Sequence, residues 1–434
     1  MKTKNLDRYI IIIFSLLIAF LSKNISMANQ GDFYRVVAPF INNIDIPSLS
    51  YQLKDNFSSI LSFDYKSSYS LIIYFYSGII SLFTNTLDIQ IISLILKIVY
   101  IFILYEFFLL IERKNNKYNA FFFIIFCFPL MSSANLSLFS SFYQEQVLLI
   151  FLPLFLITTF SNTTKSIIIG AISITIMACS KSQFFYIPIF ILVYYVIFNQ
   201  ERLKLKIPLM LLSLLISISF ILFSTGATNL NKYHSNYFGI YKYMQIHNIQ
   251  LPEKVQEECI GIDAWGNKYD FYNGAIHTEI GEKCFWDNNT VDFSDAIKEI
   301  LKHPLIILNL PYDDSMKNFY GENYFHVYKA SKLIQNNTGV LSNITDAMDY
   351  LFNNLRFSLL LLCMIIPLFF RGQNFAGTFF ILGCLGVSQL YISFIGEGYR
   401  DINKHLFGMN LSFDFIIFYS FSLIHFKLSK LYSK

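Results

Sequence analysis

Four groups of charged and polar residues stand where long apolar runs end, and together they hold carboxylates beside cations. Asn29-Gln30-Gly31-Asp32-Phe33-Tyr34-Arg35 follows the first apolar run, and Tyr143-Gln144-Glu145 precedes a later one. Ser180-Lys181-Ser182-Gln183 forms a short polar break between two others. Glu397-Gly398-Tyr399-Arg400-Asp401, followed by Lys404-His405, leads into the last. Charges at the lip of an apolar span are costly unless they are wet and useful, which makes them functional-site candidates. Asp32 and Arg35, three residues apart, share a face if that segment is helical. Each group also has a plainer reading. Asp32 with Arg35 could be a surface ion pair, Glu145 a carboxylate favouring a helix start, Lys181 a snorkelling lysine, and Lys404-His405 a contact to lipid headgroups.

The elements that must position these groups are membrane spans. The chain has 434 residues, is 54% hydrophobic and 14% charged, and contains 47 Phe. No soluble domain of that length hides so much apolar surface, so the expected class is a polytopic α-helical membrane protein. Ten windows read as spans: Tyr9–Leu21, Gln90–Ile111, Ala120–Met131, Gln146–Phe160, Ser166–Ala178, Phe184–Phe198, Ile207–Phe223, Phe357–Phe370, Phe375–Ile395 and Leu406–Ile424. Several borrow flanking residues to cross the hydrocarbon core. Counting the apolar stretch Ser70–Phe83 as a further span would send the later basic loops outside. Laid along the outer surface instead, it leaves Lys2/Lys4/Arg8, Arg113/Lys114/Lys117, Lys165, Arg202/Lys204/Lys206, Arg371 and Lys427/Lys430/Lys434 all facing the cytoplasm. Both termini are then cytoplasmic. The basic Met1-Lys2-Thr3-Lys4 precedes the first span and no A-x-A cleavage site follows, so that span reads as a retained anchor.

This topology divides the chain into an N-terminal membrane core of seven spans (1–224, with outer loop 22–89), an extracytoplasmic domain (225–354) and a C-terminal core of three spans (355–434). Thr225–Asn354 holds ten Lys, no Arg and sixteen Asp or Glu, a net of −6 against +4 for the whole chain. Its composition suits a mixed, loop-rich unit of about 130 residues, large enough to fold. Helical patterns run over Phe293–Leu301 and Val327–Gln335. Cys259 and Cys284 lie in this segment, and an extracytoplasmic location makes a disulfide between them the expectation. The other four cysteines fall in apolar runs and read as small core residues. His234, His247, His277, His303 and His326 show neither HxxxH nor HExxH spacing, so no metal site is expected from them.

Phosphate-binding glycine loops, a G-x-S-x-G elbow and basic-aromatic interleaving are all absent from the sequence, which leaves nucleotide binding, that hydrolase class and nucleic acid without support. The layout resembles the GT-C class of integral-membrane glycosyltransferases. In that class an acidic residue follows span one in the first outer loop and a surface helix comes next. Gly31-Asp32-Phe33-Tyr34-Arg35 takes the acidic position, Ser70–Phe83 the surface helix, and Tyr143-Gln144-Glu145 the second acidic position. Those phrases, with Ser141-Phe142, Asn231-Lys232-Tyr233-His234-Ser235, Phe238-Gly239 and Lys404-His405-Leu406-Phe407, look like bacterial hexose transferases of surface-glycan biosynthesis.

The resemblance implies transfer of a hexose, such as glucose, from a polyprenyl-phosphate donor to a surface glycan such as the O-antigen of lipopolysaccharide, at the outer face of a bacterial inner membrane. Asp32 would be the general base toward the acceptor hydroxyl, with Glu145 as the second catalytic acid position. Arg35, Lys181, Arg400, Lys404 and His405 would hold the substrate and the departing phosphate. Many members carry an adjacent acidic pair where this chain has Asp32 alone, so a divalent cation is optional and no other cofactor is implied. The partners expected are the lipid-linked sugar donor, the glycan acceptor and the bilayer. Tyr233, Tyr237, Trp265 and Trp286 are candidates for stacking on sugars or for packing the outer domain. Two alternatives stay open. One is a polysaccharide polymerase, disfavoured by the lack of Arg in 225–354. The other is a lipid-linked sugar flippase, which expects charge at the bilayer midplane and little folded mass outside.

Overall fold

In the computed structural model the described residues are 2–23, 25–26, 30–42, 48–62, 65–112, 118–224, 228–270, 274–322, 339–373 and 375–431. The basic loop Arg113/Lys114/Lys117, His326 and the helical pattern Val327–Gln335 lie outside them.

Among the described residues, five helices are long and apolar enough to cross a membrane: Ile89–Glu112, Leu203–Leu222, Val340–Phe369, Ala376–Glu397 and Phe407–Leu428. Ser68–Ile80, Gln146–Thr158, Thr164–Ala178 and Ser182–Phe198 are apolar but shorter. Local chemistry sets several boundaries. The Thr163 hydroxyl accepts from Ser166 N–H and starts Thr164–Ala178, while Ser67 does the same for Ser68–Ile80. Pro188 opens Ile187–Phe198 in its first turn, where a missing N–H costs nothing. Ser68–Ile80 has 13 residues. It is therefore about 20 Å long, short of the hydrocarbon thickness.

The last two long helices form the centre of the bundle. Phe407–Leu428 is 72% buried and Ala376–Glu397 61%, against 22% for Leu203–Leu222 at the rim. The rim helix exposes Leu211, Leu212, Leu215 and Leu222, as a surface meeting lipid requires. Packed aromatics fill the interior: Phe107 stacks on Tyr419, and Phe123 meets Phe14, Tyr105 and Phe418 edge-on.

Inter-helix loops collect at two ends. Thr159, Asn162, Asn199, Glu201, Arg371 and Gln373 line one hollow, where Lys206 donates to Asn162 and Asn199. At the other end meet the turns around Glu145, Lys181 and Glu397–His405.

The segment 228–322 is a set of short helices with one two-stranded hairpin, Lys268–Asp270 against Gly274–Ile276. A disulfide joins Cys259 to Cys284. The helical pattern at Phe293–Leu301 is the helix Phe293–Lys302, opened by a capping box of Asp292 and Asp295. Bonds from Lys232 and the Phe293 N–H hold the Asp292 carboxyl below its usual range. A second antiparallel strand pair, Ser50–Gln52 with Thr86–Asp88, closes the first loop around helix Ser68–Ile80. Farther on, helix Val340–Phe352 runs through a tight turn into Arg356–Ile365, so the rod of the eighth expected span starts within 225–354.

Candidate functional site

Glu145 sits at the end of a run of short turns, 128–145, just before helix Gln146–Thr158. Gln146 locks that turn: its amide donates to Tyr69 Oη at 2.6 Å and to the carbonyls of Ser141 and Tyr143. The Glu145 side chain is thereby held in the interior, 2% exposed. Lys181, in an extended turn after Thr164–Ala178, reaches it with Nζ 2.5 Å from Oε1. A carboxylate and an ammonium removed from water in this way must be paired, and here they are.

His405 is the third member. Its Nδ1 lies 3.3 Å from Lys181 Nζ and 3.1 Å from Gln183 Oε1, and its Nε2 lies 3.1 Å from Glu397 Oε2. Glu397 ends helix Ala376–Glu397, and the chain then reverses sharply at Gly398, with φ +63°. A Cβ on Gly398 would stand 2.4 Å from the Phe238 carbonyl oxygen, so only glycine fits the left-handed turn against that backbone. Tyr399 N–H donates to the same carbonyl at 3.0 Å. The segment 228–322 therefore grips the loop that carries Glu397 and His405.

The remaining expected residues surround this centre. Lys404 lies over the Tyr143 ring at 5.7 Å. Phe33 packs edge-on against Phe142 and Tyr143, at 5.0 and 5.5 Å between centroids. That contact brings helix Gln30–Val37, which contains Asp32 and Arg35, beside the Glu145 turn. The Asp32 side chain itself lies outside the described residues. Arg35 lies 5.9 Å from the Tyr65 ring. Arg400 turns outward instead, 3.9 Å over the Trp265 ring with Nε 3.8 Å from Asp263 Oδ2. Trp265 stacks in turn on His234, whose Nε2 accepts from Ala264 N–H at 2.9 Å. An accepting Nε2 requires a neutral ring. Burial, reinforced by Arg400, pushes the His234 pKa down to about 3.

A cavity of about 340 Å³ opens beside these residues. Lys181, Gln183, Glu397 and His405 are among its polar lining, with Lys66 and several Ser, Thr and Asn side chains, while Phe185, Phe220, Ile221, Ile392 and Ile395 contribute apolar wall. Among the described residues no three His, Cys, Asp or Glu side chains are grouped to hold a metal ion.

The profile of one family, described as the YfdI N-terminal transmembrane domain, matches residues 5–434. The chain belongs to that family. It is also similar to the uncharacterized protein YfdI of Escherichia coli (strain K12), 41% identical over 420 residues, covering 96% of this chain and 95% of the relative. No solved structure matches it. The family match runs through every part of the site, from helix Gln30–Val37 to His405.

Two features of this family member escaped the reading of charges at span ends. One is Gln389, fully buried in mid-helix and bonded to Gln183. The other is a second polar centre. Arg356, wholly buried, donates to Glu322 at 2.6 Å, contacts Asp349 at 3.0 Å, and donates to the Tyr320 carbonyl and Asn410. Asp414 in the last helix accepts from Asn135 at 2.7 Å. A polar residue inside an apolar window was the available signal for both Gln389 and Asp414.

Proposed function

We propose that the chain is an extracytoplasmic-face membrane glycosyltransferase that moves a hexose from a polyprenyl-phosphate donor to a surface glycan. The observation that carries this reading is the cavity: a largely apolar hollow whose lining includes Lys181, His405, Glu397 and Gln183. Such a hollow suits a ligand with an anionic head and a hydrocarbon tail, which is the chemistry of an isoprenoid phosphate. Its lining gathers turns that the ten-span topology, with both termini cytoplasmic in a bacterial inner membrane, assigns to the outer face.

In this mechanism an acceptor hydroxyl attacks the anomeric carbon of the bound sugar. The new C–O bond forms as the bond to the phosphate oxygen breaks, and the lipid phosphate leaves with the electron pair. The hydroxyl proton goes to Asp32, on the helix that packs by Phe33 against Tyr143. Proton removal by a positioned base contributes typically about 10²–10⁴ in rate. Lys181, Lys404 and His405 stabilise the departing phosphate in a site shielded from water. Glu145 holds Lys181 in place at 2.5 Å. Arg400, stacked on Trp265, serves by anchoring the loop rather than by reaching the phosphate.

The direct test is reconstitution in vesicles with a radiolabelled polyprenyl-phosphate hexose and a lipid-linked glycan acceptor. Label appearing in the acceptor supports transfer. Label crossing the bilayer without entering glycan would instead favour a flippase, and joined repeat units without single-sugar addition a polymerase.

A further inference from the structure

We infer that Gln183, Gln389 and Tyr186 form a directional hydrogen-bond relay that fixes a proton on Nδ1 of His405 and leaves Nε2 as the nitrogen that meets Glu397. The direction of every bond follows from groups that can only accept. Gln389 Nε2 lies 3.2 Å from the backbone carbonyl of Gln183 and 2.6 Å from Tyr186 Oη. A carbonyl cannot donate, so the nitrogen of the Gln389 amide must face it. Its oxygen is left toward Gln183, whose amide nitrogen donates at 3.3 Å. That turns Gln183 Oε1 to His405, 3.1 Å from Nδ1, where the ring must supply the hydrogen.

The far end agrees. Ser388 gives its hydroxyl proton to the Cys384 carbonyl at 2.6 Å and so accepts from Tyr186, 2.7 Å away. Tyr186 then has its oxygen lone pairs for Gln389. All five groups from His405 to Ser388 are polarised one way, ending on backbone carbonyls.

The consequences fall on His405. Lys181 Nζ, 3.3 Å from Nδ1, is not donating to it, because both atoms carry hydrogens; its bond goes to Glu145. Nε2 is the ring nitrogen left outside the relay, 3.1 Å from Oε2 of Glu397, a residue that lines the cavity. The charged and titratable groups around the ring are Lys181 and Glu145 from two turns, Glu397 from the preceding helix, Lys404 on its own turn, and Lys66 with Tyr65 across the cavity. Gly408 makes room for the relay, since a Cβ there would stand 2.8 Å from Gln389 Cγ. Gln183 and Gln389 are thus positioning residues. A proton carried by Nε2 would serve the departing phosphate, and that last step rests on the proposed glycosyl transfer.

The test is ¹⁵N-histidine magic-angle-spinning NMR of the full-length protein in bilayers, with the His405 signals identified by their loss in His405→Gln. In the wild type the neutral ring should be protonated at Nδ1 with a preference of about tenfold, as one intact buried hydrogen bond supports. Gln183→Leu and Gln389→Leu should each collapse that preference, and Gly408→Ala, which only displaces Gln389, should weaken it. A wild-type neutral ring protonated at Nε2, or a tautomer ratio indifferent to all three substitutions, would overturn the relay. Because the NMR needs no substrate, a protein that shows the relay but transfers no sugar would refute the proposed function and leave this inference standing. Where transfer is measured, Gln389→Leu should lower kcat with KM held and change the pH profile, which a packing defect alone would not do.

Discussion

Lys181 and Glu145, 36 residues apart in sequence, meet at 2.5 Å where almost no water reaches either side chain. Removing one partner of a buried ion pair leaves a charge uncompensated and typically costs about 3–5 kcal/mol, whereas removing both together costs far less. Glu145→Gln or Lys181→Met alone should therefore lower the thermal midpoint in detergent by several degrees. The double variant should recover most of that loss while remaining inactive. A double variant as unstable as the sum of the singles would mean that the pair is not coupled.

Asp32→Asn should abolish sugar transfer while expression, membrane insertion and melting temperature stay at wild-type values. The substitution keeps the size and polarity of the side chain on helix Gln30–Val37 and removes only its ability to take a proton. Transfer within a fewfold of wild type would remove Asp32 from the base role. Phe33→Ala would then test whether that helix needs its seat against Phe142 and Tyr143.

The ends of the apolar runs were the legible part of this site. Glu145, Lys181 and His405 each interrupt greasy sequence where a helix must stop, and the fold brings them together because those ends share one side. Their partners were less visible. Gln389 and Asp414 lie within windows read as spans, Phe375–Ile395 and Leu406–Ile424, where averaging over many apolar neighbours hides one polar side chain. Arg356 stands one residue before the window Phe357–Phe370 and looks like an interfacial flank, yet it is completely buried because Glu322, Tyr320 and Asn410 enclose it. Arg400 has the charge suited to phosphate. Its orientation depends on Trp265 and Asp263, more than 130 residues away in sequence, and pattern alone does not reveal that pairing.

The Cys259–Cys284 disulfide should support the site at a distance. It spans 25 residues, and the enclosed loop carries Asp263 and Trp265, both of which contact Arg400. Closing a loop of that size stabilises the folded state by about 2–4 kcal/mol. Replacing both cysteines with Ser should lower the melting temperature of the segment 228–322 and raise KM. The buried span contacts, such as Phe107 on Tyr419, should be untouched. Hydrogen exchange that quickens across 234–265 and 397–405 together, with the spans still protected, is the expected signature. Exchange confined to 259–284 would show that the loop does not hold Arg400.

The second polar centre should make stability depend on pH in a direction that can be worked out. Burial, opposed by Arg356 and reinforced by Asp349, raises the Glu322 carboxyl from its ordinary value of 4.5 to about 7. Below 4.5 the group is protonated whether the chain is folded or not, and it contributes no pH dependence. As pH rises from there, the unfolded chain gives up its proton while the folded one retains it, so stability falls with pH. The decline should end near 7, where the folded group ionises too. A melting-temperature series should thus slope downward between about pH 4.5 and 7 and flatten above. Glu322→Gln should reduce the slope, because the amide matches the neutral carboxyl and still bonds Arg356 through its oxygen. A profile rising over that interval, or one unchanged in Glu322→Gln, would mean that Glu322 is already ionised beside Arg356 and that the proton resides elsewhere in the centre.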